Sequence, residues 1–111
     1  MESVDEIYMA IANHCIEQID DKWNAIRIET EFFETAAEFD IYYVNDLDEK
    51  IDLSAGYKLF KLYKELYAIT TVNKNNNWNR SVFTLEPTGK FNIDFEWDQL
   101  LADEIERLSK E

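Results

Sequence analysis

The sequence is poor in the residues from which many functional sites are built. Its 111 residues include one cysteine, one histidine, one proline and two glycines. One cysteine cannot form an internal disulfide, and one cysteine with one histidine cannot build the usual four-ligand zinc site. Two isolated glycines, Gly56 and Gly89, do not form a glycine-rich phosphate-binding loop. We therefore expect neither a metal nor a cofactor.

Long apolar runs and basic residues are also scarce. No run approaches the roughly 20 residues of a membrane span, and the acidic N-terminus lacks the basic start of a signal peptide, so we expect a cytoplasmic protein without membrane contact. Lys and Arg number 11 against 24 Asp and Glu, which gives a net charge of −13. This charge disfavours direct nucleic-acid binding, because phosphate contacts need a basic surface. It serves solubility or steers the chain toward a basic partner.

Apolar and aromatic residues, in contrast, are abundant. Hydrophobic residues make up 46% of the chain, with seven Phe, six Tyr and three Trp. That content is typical of a packed domain and argues against disorder despite the charge. No linker or repeat divides the sequence, so we expect residues 1–111 to form a single domain.

The segment Trp78–Trp97 carries the clearest structural signal. Apolar and polar residues alternate on both sides of Pro87-Thr88-Gly89, as expected for two strands joined by a three-residue hairpin loop. The loop sets the register, with these pairs: Glu86 with Lys90, Leu85 with Phe91, Phe83 with Ile93, and Arg80 with Glu96 as a cross-strand charge pair. The apolar face, expected to hold the helices, contains Ser81, Phe83, Leu85, Phe91, Ile93, Phe95 and Trp97.

Three amphipathic segments predict helices. The first runs from Val4 to Ile19, after a capping box that begins at Ser3. The second begins after Ser54 as its N-cap and continues to about Lys74. Asp98 caps the third. The last helix is expected to bury Leu100, Leu101, Ile105 and Leu108.

Two further strands follow the first helix in the predicted order. Alternation predicts one strand over Ala25–Phe33 and another over Phe39–Val44, with Glu34–Glu38 as the turn between them. Asn45–Lys50 is expected to be a loop, and Ile51–Leu53 is either a short strand or the entry to the next helix. The fold class is therefore α+β, in the order α-β-β-(β)-α-β-β-α.

Strands with one apolar face need a cover, so we predict two layers: an antiparallel sheet of four to five strands with helices packed on one face. The other face is expected to be wet and acidic. It would display Arg27, Glu29, Glu31, Asp40, Tyr42, Arg80, Thr84, Asn92, Asp94 and Glu96.

Candidate catalytic groups are few. His14 and Cys15 are adjacent, but neighbours on a helix point about 100° apart and do not readily share a proton. The pair Glu29 and Glu31 shares a strand face, yet an open sheet face lacks the cleft that acid–base chemistry needs. The residues therefore favour a protein that is not an enzyme.

The sequence resembles the YezG-like immunity proteins, which are antitoxins of bacterial secreted or contact-dependent polymorphic toxins. The hairpin sequence TLEPTGKFNIDFEW, residues 84–97, carries most of this resemblance. Weaker matches are Ile7-Tyr8 and Ile11-Ala12 on the first helix and the exit from Ile19 to Trp23. Relatives tend to have a proline where this chain has Asp20-Asp21, and many continue beyond the last helix.

The resemblance implies a non-enzymatic inhibitor of a cognate toxin domain, often a nuclease, with contact-dependent growth inhibition as one setting. Basic nuclease grooves complement an acidic surface, so we hypothesise that part of the toxin-facing surface is formed by Glu29, Glu31, Asp40, Tyr42, Asp94 and Glu96. Asn45–Lys50 and the last helix, with Asp98, Asp103, Glu104 and Glu106, are rival surfaces. Monomer and homodimer remain open, and the alternative function is a small homodimeric structural or ligand-binding domain.

Overall fold

A computed structural model describes residues 3–33, 36–72 and 77–109 of the chain. Eight elements follow one another in the predicted order, and the segment predicted as either a short strand or a helix entry is a short strand, β3. The elements are α1 (Val4–Ile16), β1 (Trp23–Phe32), β2 (Ala37–Asn45), β3 (Lys50–Asp52), α2 (Gly56–Thr70), β4 (Arg80–Leu85), β5 (Phe91–Glu96) and α3 (Gln99–Ser109).

The five strands form one antiparallel sheet in the order β3-β2-β1-β4-β5. β1 is the central strand, because it pairs with β2 on one side and β4 on the other. Its side chains alternate between the two faces as predicted, with Ile26 and Ile28 buried and Glu29 exposed between Ile28 and the buried Thr30. The α+β fold class is confirmed.

Helices α1 and α2 lie together on one face of the sheet and form the core with it. The α1 stripe of Ile7, Ile11 and Cys15 is fully buried, and α2 contributes Leu59 and Leu66. Burying one such side chain contributes roughly 1.5–3 kcal/mol, so this face accounts for most of the hydrophobic stabilisation. Other core residues are Ile26, Ile28, Phe32, Ile41, Tyr43, Leu62, Tyr63, Trp78, Phe83 and Leu85.

The hairpin of β4 and β5 has the predicted register. All the predicted partners from Arg80–Glu96 to Leu85–Phe91 lie opposite one another. The Glu86 N–H donates to the Lys90 carbonyl at 2.9 Å, and the Gly89 N–H donates to the Glu86 carbonyl at 2.9 Å. Gly89 has a φ of +90°, the left-handed conformation for which glycine is suited.

Two helix boundaries differ from the prediction, and the Gln18 side chain hydrogen-bonds to the backbone near both, at the carbonyl of His14 and at Ser54. The Ser3 cap is confirmed, since its Oγ accepts the Glu6 N–H at 3.2 Å, but α1 ends at Ile16 rather than Ile19. Ser54 is not the N-cap of α2: its N–H donates to Gln18 Oε1 at 2.8 Å, and its carbonyl accepts from Gln18 Nε2 at 2.9 Å. The helix instead begins at Gly56 and ends at Thr70; residues 73–76 lie outside the described residues.

The strand boundaries differ from the prediction by one or two residues: β1 begins at Trp23 and ends at Phe32, β2 is longer at both ends, and β3 is shifted back by one residue. Ala37 and Glu38, predicted to lie in the turn, belong to β2, because they pair with Phe32 and Glu31 of β1. Residues 34–35 lie outside the described residues. Asn45 and Lys50, predicted to lie in the loop, belong to β2 and β3, and the buried Asn45 side chain accepts the N–H groups of residues 47 and 49.

The third helix is capped as predicted but buries less than predicted. Asp98 Oδ1 accepts the Leu101 N–H at 3.1 Å, and Leu101 is buried while Ile105 is half-buried. Leu100 and Leu108 are instead 81% and 53% exposed. α3 follows an edge strand and packs near the end of the sheet, where a depression is lined by Phe32, Phe33, Trp78, Asn79, Trp97, Ala102 and Ile105. One side of the helix therefore meets the domain, and Leu100 and Leu108 face water.

Candidate functional site

The uncovered face of the sheet brings the predicted acidic side chains together in cross-strand rows. One row joins Asp40, Glu29, Val82 and Asp94, and the next joins Glu38, Glu31, Arg80 and Glu96. Because β1, β2, β4 and β5 each contribute to both rows, residues distant in sequence become neighbours. Five of the six predicted partner-binding residues lie in these rows.

These two rows line a depression of about 430 Å³, here called the acidic groove. Its charged lining consists of six carboxylates and one guanidinium: Glu29, Glu31, Glu38, Asp40, Asp94, Glu96 and Arg80. Val82 supplies an apolar side chain to its floor. The groove is shallow and open, and its excess of carboxylates suits cationic side chains of a partner.

Like charges face each other directly across β1 and β2. Glu29 lies opposite Asp40, and Glu31 lies opposite Glu38. Such pairs destabilise a sheet, because the repulsion opposes strand pairing. Arginines offset part of it: Arg27 Nε lies 3.2 Å from Glu29, and Arg80 lies 3.3 Å from Glu31.

Arg80 also ties the groove to the start of α3. Its Nε donates to Asp98 Oδ2 at 2.7 Å, although the predicted cross-strand charge pair was with Glu96, which lies opposite it in register. The hydrogen bond lowers the pKa of Asp98 and raises that of Arg80. Asn79 completes the link, donating to the Asp98 carbonyl and accepting its N–H, both at 2.8 Å. Arg80 is thereby held at the edge of the groove.

The sixth predicted residue, Tyr42, lies on the same face but outside the groove. It occupies the neighbouring row, between Arg27 of β1 and Asp52 of β3. The Lys50 ammonium sits 4.2 Å from the centre of its ring, a cation–π contact. Tyr42 is therefore half-buried beside the groove rather than part of its lining.

Sequence reasoning missed Glu38 and Val82 as groove residues. Glu38 was predicted to lie in the turn, although the alternation of Phe39 and Ile41 extends back to it and places its side chain on the open face. Val82 was not predicted as a site residue, because an apolar residue on a polar face carries no charge signal. Its position between Glu29 and Asp94 becomes evident only from the strand order.

The cysteine and histidine have structural surroundings. Cys15 is fully buried, and burial raises the pKa of its thiol to about 12, which keeps it protonated and unreactive. His14 Nε2 lies 3.0 Å from the Ser54 carbonyl and joins α1 to the loop before α2. Within residues 3–33, 36–72 and 77–109, no cluster of three or more His, Cys, Asp or Glu side chains is arranged to hold a metal ion. In the same ranges, no helix has the length and hydropathy to cross a membrane.

Comparison with known proteins places this fold in a family. A sequence model of the YezG-like immunity proteins matches residues 38–111, from β2 through the C-terminal helix. A relative, the immunity protein YezG of Bacillus spizizenii, is 22% identical over 116 aligned positions, which cover 90% of this chain and 72% of the relative. Because the family match spans most of the domain, including the β4–β5 hairpin, the chain belongs to the YezG-like immunity protein family.

Proposed function

We propose that the protein neutralises a cognate toxin by binding it, without catalysis, in the cytoplasm of the cell that makes both. The toxin is a basic protein, a nuclease, and the surface that meets it is the acidic sheet face. The proposed contact residues are Glu29, Glu31, Asp40, Tyr42, Asp94 and Glu96.

The observation that carries this proposal is the concentration of carboxylates in the acidic groove. Six carboxylates surround one guanidinium there. A nuclease must present cations to hold its phosphate backbone, so its substrate groove is the natural complement of such a surface. Complementary potentials of this kind accelerate encounter and penalise partners of the wrong sign.

The like-charge pairs support the same interpretation. Glu29 opposite Asp40 and Glu31 opposite Glu38 each oppose folding of the free protein. A bound Lys or Arg placed between two such carboxylates would remove the repulsion and gain two charge-assisted hydrogen bonds. The pairs thus lower the stability of the free chain and add to the affinity for a basic partner.

Tyr42 provides the aromatic contact in this proposal. Tyrosine is enriched among residues that contribute strongly to binding, and Tyr42 lies one row from Glu29 on the same face. Lys50 over its ring partly neutralises that end of the surface. The proposed interface is therefore acidic where β1, β2 and β5 contribute carboxylates and less charged beside β3.

The experiment is a charge reversal of a facing pair, Glu29→Lys with Asp40→Lys. It keeps a like-charge pair at the same position and loses only the exposed Arg27–Glu29 contact, which contributes little to stability, while the groove loses most of its net negative charge. The partner is the toxin domain encoded by the neighbouring gene. At low salt we expect its affinity to fall by at least about tenfold, mainly through a slower association rate.

The matched control is Asp103→Lys with Glu104→Lys on α3. It changes the net charge by the same amount on a rival surface, and we expect less than about a threefold loss of affinity. Equal losses of affinity in both variants would show that only the net charge matters. A larger loss in the α3 variant would place the toxin contact on α3. Failure of the unaltered chain to bind the toxin would end the proposal as a whole.

A further inference from the structure

The outer edge of β5 is the longest open strand edge in the described sheet. β5 is the last strand in the order β3-β2-β1-β4-β5, and in the described ranges its second edge has no strand beside it. It runs for six residues, Phe91–Glu96, without proline or lysine and without a bulge against β4. An edge of this kind presents unpaired backbone groups to an incoming strand.

The register shows which backbone groups point outward. The Glu86 N–H donates to the Lys90 carbonyl, and hydrogen-bonded pairs recur at every second residue of a regular antiparallel ladder. Asn92 and Asp94 are therefore hydrogen-bonded with β4. The N–H and C=O groups of Phe91, Ile93 and Phe95 point away from β4 and are placed to accept a further strand.

The opposite edge of the sheet is blunted by comparison. β3 has three residues, and two of them, Lys50 and Asp52, are charged and exposed. Short length and charged side chains are the usual means by which proteins protect sheet edges against pairing. β5 is twice as long, and its two charged side chains, Asp94 and Glu96, are both acidic, so they oppose an acidic strand but not a basic one.

The side chains of β5 specify what kind of strand would fit. On the helix side, Phe91 and Phe95 remain 44% and 37% exposed, on either side of the half-buried Ile93. On the open side, Asp94 and Glu96 border the acidic groove. An added strand with alternating apolar and basic residues would cover the aromatic rings with one face and pair with the carboxylates through the other.

We propose that β5 receives an extended segment of the toxin as a sixth strand, one whose side chains alternate between apolar and basic. This inference rests on the proposed function and assigns the toxin a docking mode. A second copy of this chain is the poorer occupant, because pairing two β5 strands would bring Asp94 and Glu96 of both copies to the same face of the joined sheet.

The first test uses the unaltered chain and an acetylated peptide, Lys-Val-Lys-Val-Lys-Val-Lys, as the probe. Amide hydrogen exchange is followed by NMR. We expect exchange at Ile93 and Phe95 to slow by at least about tenfold, because their N–H groups become hydrogen-bonded only when a strand is added. The Asp94 amide, already bonded to β4, serves as the internal control. A peptide with Pro in place of the central Val should give no such protection.

The outcome that overturns the inference is equally specific. If about 1 mM peptide leaves exchange at Ile93 and Phe95 unchanged, strand addition does not occur. Strand addition is also contradicted if the peptide shifts only resonances of Glu29 and Asp40, because it then binds in the groove through charge alone. An acidic peptide, Glu-Val-Glu-Val-Glu-Val-Glu, should not protect either amide.

A pair of variants tests the same edge against the toxin itself. Ile93→Pro removes an outward N–H without removing a bond to β4, and Asp52→Pro does the same at the β3 edge. We expect Ile93→Pro to lower toxin affinity at least about tenfold and Asp52→Pro to leave it within about threefold. Undiminished affinity of a folded Ile93→Pro variant would contradict strand addition. If that variant does not fold, the exchange experiment on the unaltered chain decides.

The two proposals fail in distinguishable ways. Toxin binding without protection of Ile93 and Phe95 removes the strand-addition mode and leaves the proposed function intact. Protection by the peptide without any toxin binding leaves the edge site intact and removes the proposed function.

Discussion

Residues that are neighbours in sequence but lie on opposite faces of the sheet have opposite effects on the stability of the fold. On the helix-covered face, Ile28 and Phe83 are fully buried and stabilise the fold. On the open face, Glu29 follows Ile28 in sequence but lies opposite Asp40 on the paired strand. The repulsion between these two carboxylates opposes folding. The difference shows how a strand with a period of two assigns stability to one face and leaves the other free for charge.

The strongest test of this comparison removes a large side chain from the covered face. Phe83→Ala should lower the free energy of unfolding by about 3–5 kcal/mol, because it leaves a cavity between β4 and the helices. The adjacent Val82→Ala, on the floor of the acidic groove, should cost about 1 kcal/mol or less. Urea unfolding followed by tryptophan fluorescence measures both. Similar losses in the two variants would abolish the distinction between the faces.

An intermediate effect is expected from the arginine at the edge of the groove. Arg80→Gln loses the contacts with Glu31 and Asp98, and we expect a loss of about 1 kcal/mol in the free energy of unfolding. Arg27→Gln is the control, since its contact with Glu29 is more exposed and should contribute less. Unfolding at low and high salt gives both values. A greater loss in the Arg27 variant would reverse the assigned roles.

A smaller effect of opposite sign is expected where like charges face each other. Asp40→Thr removes the repulsion of Glu29 and places a β-favouring residue in β2, so stability should rise by roughly 0.5 kcal/mol. Glu38→Thr, opposite Glu31, repeats the test at the second pair. Toxin affinity should fall in the Asp40 variant as its stability rises. A loss of stability in both variants would show that these carboxylates support the sheet.

The smallest effect is expected in how the stability of the protein depends on pH. The folded protein holds the pKa of Asp98 below its ordinary value through the bond to Arg80, so the stabilisation is present above the unfolded pKa and is lost as the pH falls through the folded one. Asp98→Asn retains a capping side chain and loses the charge. Its urea midpoint should therefore decline less than that of the parent chain on acidification. Parallel pH profiles would contradict the assigned pKa direction.

Local rules were sufficient for the β4–β5 hairpin. Pro87 and Gly89 restrict the loop, and once the loop length is known every later pair from Leu85–Phe91 onward follows. Local rules failed for Ser54, because its N–H and carbonyl are hydrogen-bonded to the side chain of Gln18, which lies 36 positions earlier in the sequence. They also failed for Leu100 and Leu108, because an apolar stripe on a helix does not state how much of it will find a partner.

The candidate site was predictable in part for the same reason. Placing Glu29 with Glu31, or Asp94 with Glu96, on one face requires only the alternation of a single strand. Bringing those two pairs into one groove required β4 to lie between β1 and β5, and the contact of Arg80 with Asp98 required the chain to turn back at α3. No local pattern encodes either arrangement.

By itself, the sequence determined the elements other than β3, the face on which the side chains of those strands lie, and the acidic character of the uncovered face. Only the tertiary structure decided that the carboxylates of three strands share one groove, that α3 leaves Leu100 in water, and that β5 is an open edge. The physical reason is range. Alternation, capping and turn chemistry act over two to five residues. Strand order depends instead on which distant segments form contacts strong enough to offset the entropy lost in closing the loops between them.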